Sequence, residues 1–136
     1  MKRILCLILA LLLVMLSVTP ALAAENESSV MPRYSYIGQI YAYLQIGSLG
    51  LSACQANCHI ESGDHVVLTA QLQQYNGSGW TTLKTWSATD DDYAAISKNY
   101  AVPKGYTYRL RASCSVYNAS GTLVETGICN SNQVTY

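Results

Sequence analysis

The 136-residue sequence contains no phenylalanine, and only 12% of its residues are charged, with a formal net charge of zero. That balance excludes a nucleic-acid binder that works by bulk attraction to phosphates. Low charge combined with 50% hydrophobic residues excludes a disordered chain. With no phenylalanine, some of the 11 tyrosines must fill the core. No sustained helical period appears, and no long apolar run follows the first 24 residues. The residue sets of common hydrolases are missing as well. There is no Gly-x-Ser-x-Gly, and no serine has an evident histidine partner. Glu61 and Glu125 sit at strand edges with nothing that marks them as an acid/base pair. The sequence reads as non-enzymatic.

The N-terminus has the form of a secretory signal peptide. Lys2 and Arg3 precede an almost unbroken apolar run from Ile4 to Val18, and Ala21-Leu22-Ala23 offers a small-residue cleavage site after Ala23. The run ends in Thr19-Pro20 rather than a basic stop-transfer patch, and Cys6 lies at its front rather than at the cleavage site, which argues against a lipid anchor. The expected organisation is a cleaved leader over 1–23, a flexible segment over 24–33 and one domain over 34–136. The exported product would keep 6 of the 8 basic residues and all 8 acidic ones, a net charge of −2, with no membrane attachment. It would be secreted.

Without Cys6, four cysteines remain: Cys54, Cys58, Cys114 and Cys129. An even number in a small exported chain reads as two disulfides. Cys54 and Cys58 fall on one face of an expected strand, about 13 Å apart, too far to pair with each other. Both bridges then run from that segment to Cys114 and Cys129, in either order.

Period-two alternation marks about seven strands: Tyr36–Ile46, Leu51–Ile60, a third from Val66, Trp80–Ser87, Ala95–Val102, Tyr106–Tyr117 and Thr122–Cys129. In the first, Tyr36, Ile40, Ala42, Leu44 and Ile46 form one face. Gly47-Ser48-Leu49-Gly50, Ser62-Gly63-Asp64, Asn76-Gly77-Ser78-Gly79 and Asn118-Ala119-Ser120-Gly121 are turns by composition, and Thr89–Asp92 is a polar loop. The fold class expected is an all-β, two-sheet sandwich.

Val102-Pro103-Lys104-Gly105-Tyr106-Thr107-Tyr108-Arg109-Leu110 resembles the turn into the sixth strand of fibronectin type III and related immunoglobulin-like domains. The resemblance implies a structural role for Tyr108, as the tyrosine-corner residue whose hydroxyl ties back to the preceding turn. The lack of a tryptophan in the third strand departs from the antibody-type core. The wider pattern over roughly 34–130, including Leu72-Gln73-Gln74-Tyr75 and Trp80-Thr81-Thr82-Leu83-Lys84-Thr85-Trp86, is similar to small uncharacterised secreted proteins of Gram-positive, Clostridia-type bacteria, and implies no activity. The immunoglobulin-like topology implies Cys54–Cys129 with Cys58–Cys114, the crossed alternative being Cys54–Cys114 with Cys58–Cys129. That choice takes Tyr117 opposite Thr122, and hence Cys129 opposite Leu110.

Chemistry-bearing candidates are few. Cys54-Gln55-Ala56-Asn57-Cys58-His59 has one residue too many between its cysteines for haem attachment, and His59 points away from Cys58 on a strand. No metal or cofactor is expected. Asp90-Asp91-Asp92 offers carboxylates to calcium but lacks the glycine and distal glutamate of a calcium loop. Asn26, Asn76 and Asn118 head formal glycosylation sequons. The outward faces of the third and sixth strands present Gln71, Gln73, Tyr75, Arg109, Arg111 and Tyr117, residue types that suit a binding surface for a glycan or a protein. Tyr41 and Tyr43 add aromatic area on the first strand. The function expected is a secreted, non-catalytic binding module. The alternative is a structural protein that associates with itself through its first or last strand edge.

Overall fold

The computed structural model describes residues 33–136; the expected leader with Cys6, and residues 24–32 with Asn26, lie outside the described residues. Eight strands follow in order: β1 (Ile37–Ile46), β2 (Leu51–Ile60), β3 (His65–Tyr75), β4 (Trp80–Asp90), β5 (Tyr93–Ala101), β6 (Thr107–Tyr117), β7 (Leu123–Asn130) and β8 (Val134–Thr135). They form two antiparallel sheets. One is three-stranded, in the order β1-β2-β5, and the other is five-stranded, in the order β4-β3-β6-β7 with β8 beside β6. Seven of the eight were legible as alternation; β8 is too short to show a period.

Strict alternation in β3 and β6 separates two faces. Val66, Leu68, Ala70 and Leu72 of β3, and Tyr108, Leu110, Ala112, Cys114 and Val116 of β6, are buried between the sheets. Leu44, Cys54, Ala56, Cys58, Ile60, Ala94 and Ile96 face them from the smaller sheet. Tyr108, fully buried, is the largest side chain of this kind, and it takes the place that a phenylalanine would fill elsewhere. Burial pushes its phenol pKa up, with the nearby Tyr106 adding to the effect. The hydroxyl donates to the Pro103 carbonyl at 2.6 Å, which ties β6 to the turn before it. Ser52, a small polar side chain fully inside, donates to the Tyr100 carbonyl at 2.6 Å.

Turn chemistry follows composition. The Asn76 side-chain oxygen accepts the N–H groups of Ser78 and Gly79, and the Asn118 oxygen accepts those of Ser120 and Thr122. Gly63 sits at φ 130°, where a Cβ would lie 2.7 Å from a Val116 methyl, so the chain can cross between sheets there only with glycine. Thr89–Asp92 is a much tighter connection than a loop. β4 continues to Asp90, and β5 begins at Tyr93.

Three register shifts change what alternation alone implies, and two of them bear on the core and the cysteines. The β1–β2 register slips between Ile37 and Gln39, so Ile37 turns inward with Ala42 and Leu44 rather than outward. The second of these corrects the cysteine arithmetic. Among the described residues one disulfide is present, Cys58–Cys114, with a Cα separation of 6.4 Å; Cys54 and Cys129 are free there. Neither the Cys54–Cys129 bridge nor the crossed pair forms. The β6–β7 register shifts at Val116/Tyr117, where Tyr117 faces Leu123 and Val116 faces Glu125. Cys129 therefore lies opposite Ala112 and not Leu110. β2 and β6 run in the same direction, aligned at Cys58–Cys114, so Cys54 is level with Leu110. The shift leaves Cys129 two residues, about 7 Å, along the sandwich from the level of Cys54.

Tyr108→Phe deletes only the hydroxyl and leaves the Pro103 carbonyl without its donor, at an expected cost of about 1–2 kcal/mol, read as a lower Tm by thermal denaturation. The two free thiols differ in access. Burial pushes the Cys54 thiol pKa up, with a weaker opposing effect from Ser52, and its side chain is fully enclosed, while Cys129 is partly exposed. Alkylation and peptide mapping are expected to find Cys129 modified in the native protein and Cys54 only after unfolding.

Candidate functional site

The outer face of the five-stranded sheet brings together most of the expected site. In register, Gln71 of β3 faces Arg111 of β6, and Gln73 faces Arg109. Arg109 Nε donates to Gln73 Oε1 at 2.9 Å, and Gln73 Nε2 donates to Thr82 Oγ1 at 3.3 Å, which links three strands across the face. The Arg109 guanidinium lies 4.2 Å from the centre of the Trp80 ring, a cation–π contact worth about 0.5–1 kcal/mol when exposed. Trp80 in turn meets Tyr75 at 5.3 Å between ring centres, and the Tyr75 hydroxyl donates to the Gly77 carbonyl at 2.9 Å.

Local sequence explains this placement. The asparagine-capped Asn76–Gly79 turn is short enough that Trp80, the first residue of β4, lands directly opposite Tyr75. A bulge between Leu72 and Gln73, where β4 skips Leu83, puts both β3 residues in buried positions. Gln73 is held there by one hydrogen bond at each end of its amide. Trp80 and Thr82 were missed from sequence because β4 was not assigned to the same outer face, although the hairpin turn next to Trp80 carried that signal.

Tyr117 does not belong to the patch. It faces His65 near the far end of β6, with the rings parallel at 5.0 Å, about 20 Å along the strand from Arg111. Arg111 itself has no hydrogen bond or ion pair among the described residues, and it is flanked by Gln71 and Asn130. Burial, and then the Arg111 charge, push the Arg109 pKa below its usual value. The two arginines lie on one strand face with Cα atoms about 7 Å apart, and their like charges repel.

Apart from Arg33, which precedes β1 at the acidic end, the charges of the described residues are segregated along the strand axis. Glu61 and Asp64 lie in the β2–β3 turn region, Asp90–Asp92 close the β4–β5 connection, and Glu125 faces Val116 near the same end. Lys84, Lys98 and Lys104 lie with Arg109 and Arg111 toward the other end; Lys84 faces Leu72 and Lys98 faces Cys54. The Asp90 carboxylate accepts the N–H groups of Asp92 and Tyr93, and these bonds hold its pKa below the usual range. It closes the turn between β4 and β5. His59 Nε2 lies 3.6 Å from Asp92 Oδ1. Among the described residues, no three His, Cys, Asp or Glu side chains converge in a metal-binding group.

The smaller sheet carries a different outer face. Tyr41 and Tyr43 stand with parallel rings 6.5 Å apart on β1, beside Asn57 and Gln55 of β2. The outer edge of β1 is partly occupied: Asn132 exchanges two hydrogen bonds with the Leu44 backbone, and Glu125 accepts the N–H groups of Ser35, Tyr36 and Ile37 at 2.8–2.9 Å.

For Glu125, burial disfavours the charged form, but the three N–H donors outweigh it and hold the pKa below the ordinary range. Its folded-state pKa is thus lower than its unfolded one. The stabilisation is present above the unfolded value of about 4.3 and lost as pH falls through the folded value. Glu125→Gln is expected to be less stable than the parent at pH 7, with the difference shrinking toward pH 3, in denaturant titrations at both pH values.

Compared with known proteins, the chain matches no protein-family model and no curated protein.

Proposed function

We propose that the chain is an exported, non-catalytic binding module with an immunoglobulin/fibronectin-III-like fold, and that it holds a glycan on the outer face of its five-stranded sheet. The leader-like N-terminus supports export, and a disulfide between the sheets suits an oxidising compartment. The strand order β1-β2-β5 against β4-β3-β6-β7, and the Tyr108–Pro103 tie, support the finer fold reading. This sheet face is a surface built for contact, since Arg109, Gln73 and Thr82 are organised by long-range hydrogen bonds while Arg111, Gln71 and Tyr75 remain available beside them. That pre-organisation is the observation that carries the reading. Tyr and Arg supply contact area with polar tips, and the amides supply paired donors and acceptors for hydroxyl groups.

Self-association through the first strand is less well supported, because side chains from the β7 region already satisfy part of the β1 edge.

Retention of the purified protein on insoluble polysaccharides, reversed by a soluble sugar, is the expected result. Tyr75→Ala is expected to reduce retention at least tenfold with a folded domain whose Tm is only modestly lowered by loss of the Trp80 and Gly77 contacts, because Tyr75 is 40% exposed at the rim of the face. Parent-like retention by Tyr75→Ala would remove this residue from the site. A protein captured in place of a sugar would redirect the reading to a protein ligand.

A further inference from the structure

We infer that the glycan bound by this face is anionic, a polysaccharide bearing carboxylate or sulfate groups, with Arg111 as its principal contact and Arg109 beside it. The inference rests on the binding reading above and names the ligand class for the same site.

Three observations carry it. First, the two guanidinium groups lie on one face of β6, and neither has an acidic partner. Arg109 is held by the neutral Gln73 and by the Trp80 ring, and Arg111 is held by nothing among the described residues. Second, the nearest side-chain carboxylates by register, Asp90 and Glu125, both lie at the level of Val116, five residues from Arg111. That is about 16 Å along the strands, beyond the screening length of about 8 Å at physiological salt. Glu125 is in any case engaged by three backbone N–H groups. Third, one ring face of Trp80 is covered by the Arg109 guanidinium at 4.2 Å, which leaves less of the ring for a neutral sugar to stack on. The exposed chemistry of the patch is therefore cationic and amide-rich more than aromatic. A planar guanidinium flanked by Gln71 and Asn130 offers forked donors to a carboxylate or sulfate, with amides to hold the neighbouring hydroxyls. A second anionic group along the same chain would relieve the repulsion between Arg109 and Arg111.

The test is calorimetric titration of the protein with polygalacturonate, dextran sulfate and a neutral galactan, at low and at physiological salt, with duplex DNA as a polyanion control. The expected result is binding of at least one acidic polysaccharide, weakened by salt, with no comparable binding of galactan or DNA. Which of the two binds decides between carboxylate and sulfate. Arg111→Ala is expected to lower that affinity at least tenfold at an unchanged Tm, and Lys98→Ala, on the opposite sheet, to change it less than twofold. Galactan binding that Tyr75→Ala abolishes and Arg111→Ala leaves intact would overturn the anionic assignment but keep the binding face. DNA binding equal to that of the acidic polysaccharides would overturn the glycan class. Binding of neither acidic polymer, or acidic binding insensitive to Arg111→Ala, would overturn the inference itself.

Discussion

Cys58 and Cys114 bring the two sheets to a Cα separation of 6.4 Å, well inside the roughly 10 Å at which packed sheets usually lie. The neighbouring residues accommodate this pinch. Ala42 faces Ala56 in one sheet, and Ala70 faces Ala112 in the other, so the level next to the bridge is lined by methyl groups. Larger side chains, Leu44, Leu72, Leu110 and Tyr108, fill the space toward one end, and Ile60, Val66 and Val116 fill it toward the other. Closing a loop of 56 residues contributes about 4 kcal/mol in the chain-entropy description, a large share for a core without phenylalanine. With β2 and β6 aligned by this one link, the positions of their hairpin partners follow from register.

Most of the architecture was legible because each strand keeps one face for the core, and the alternation of β3 and β6 has no exception until Gln73. Turns were legible because Asn and Gly do there what their side chains and backbone freedom allow. Bulges were not legible. Inserting a residue at Gly38, opposite Leu72/Gln73 or beyond Tyr117 changes parity or pairing without changing composition. Of the expected pairing, Cys58–Cys114 is present, and Cys54–Cys129 failed for that reason: a shifted hairpin moved Cys129 away from the level of Cys54.

The candidate site shows the same division. Strand neighbours on β3 and β6 followed from alternation, and five of the six expected residues share one patch. Tyr117 shares their face but not their level, because a face argument says nothing about position along an 11-residue strand. The contribution of Trp80 depends on a cross-strand meeting with Tyr75 that only the tight Asn76 turn creates. Charge segregation is likewise a three-dimensional property, since Asp90 and Arg111 are not marked as distant by their sequence neighbours.

The single bridge also governs how the domain would respond to mechanical load. Pulled from its two ends, the chain can release β1, most of β2, β7 and β8, but the segment between Cys58 and Cys114 is short-circuited by a covalent bond. β3, β4 and β5 lie wholly inside that protected loop. Tension would therefore reach the β3–β4 hairpin, including Tyr75 and Trp80, only after the disulfide itself was reduced, while the free ends extended around it.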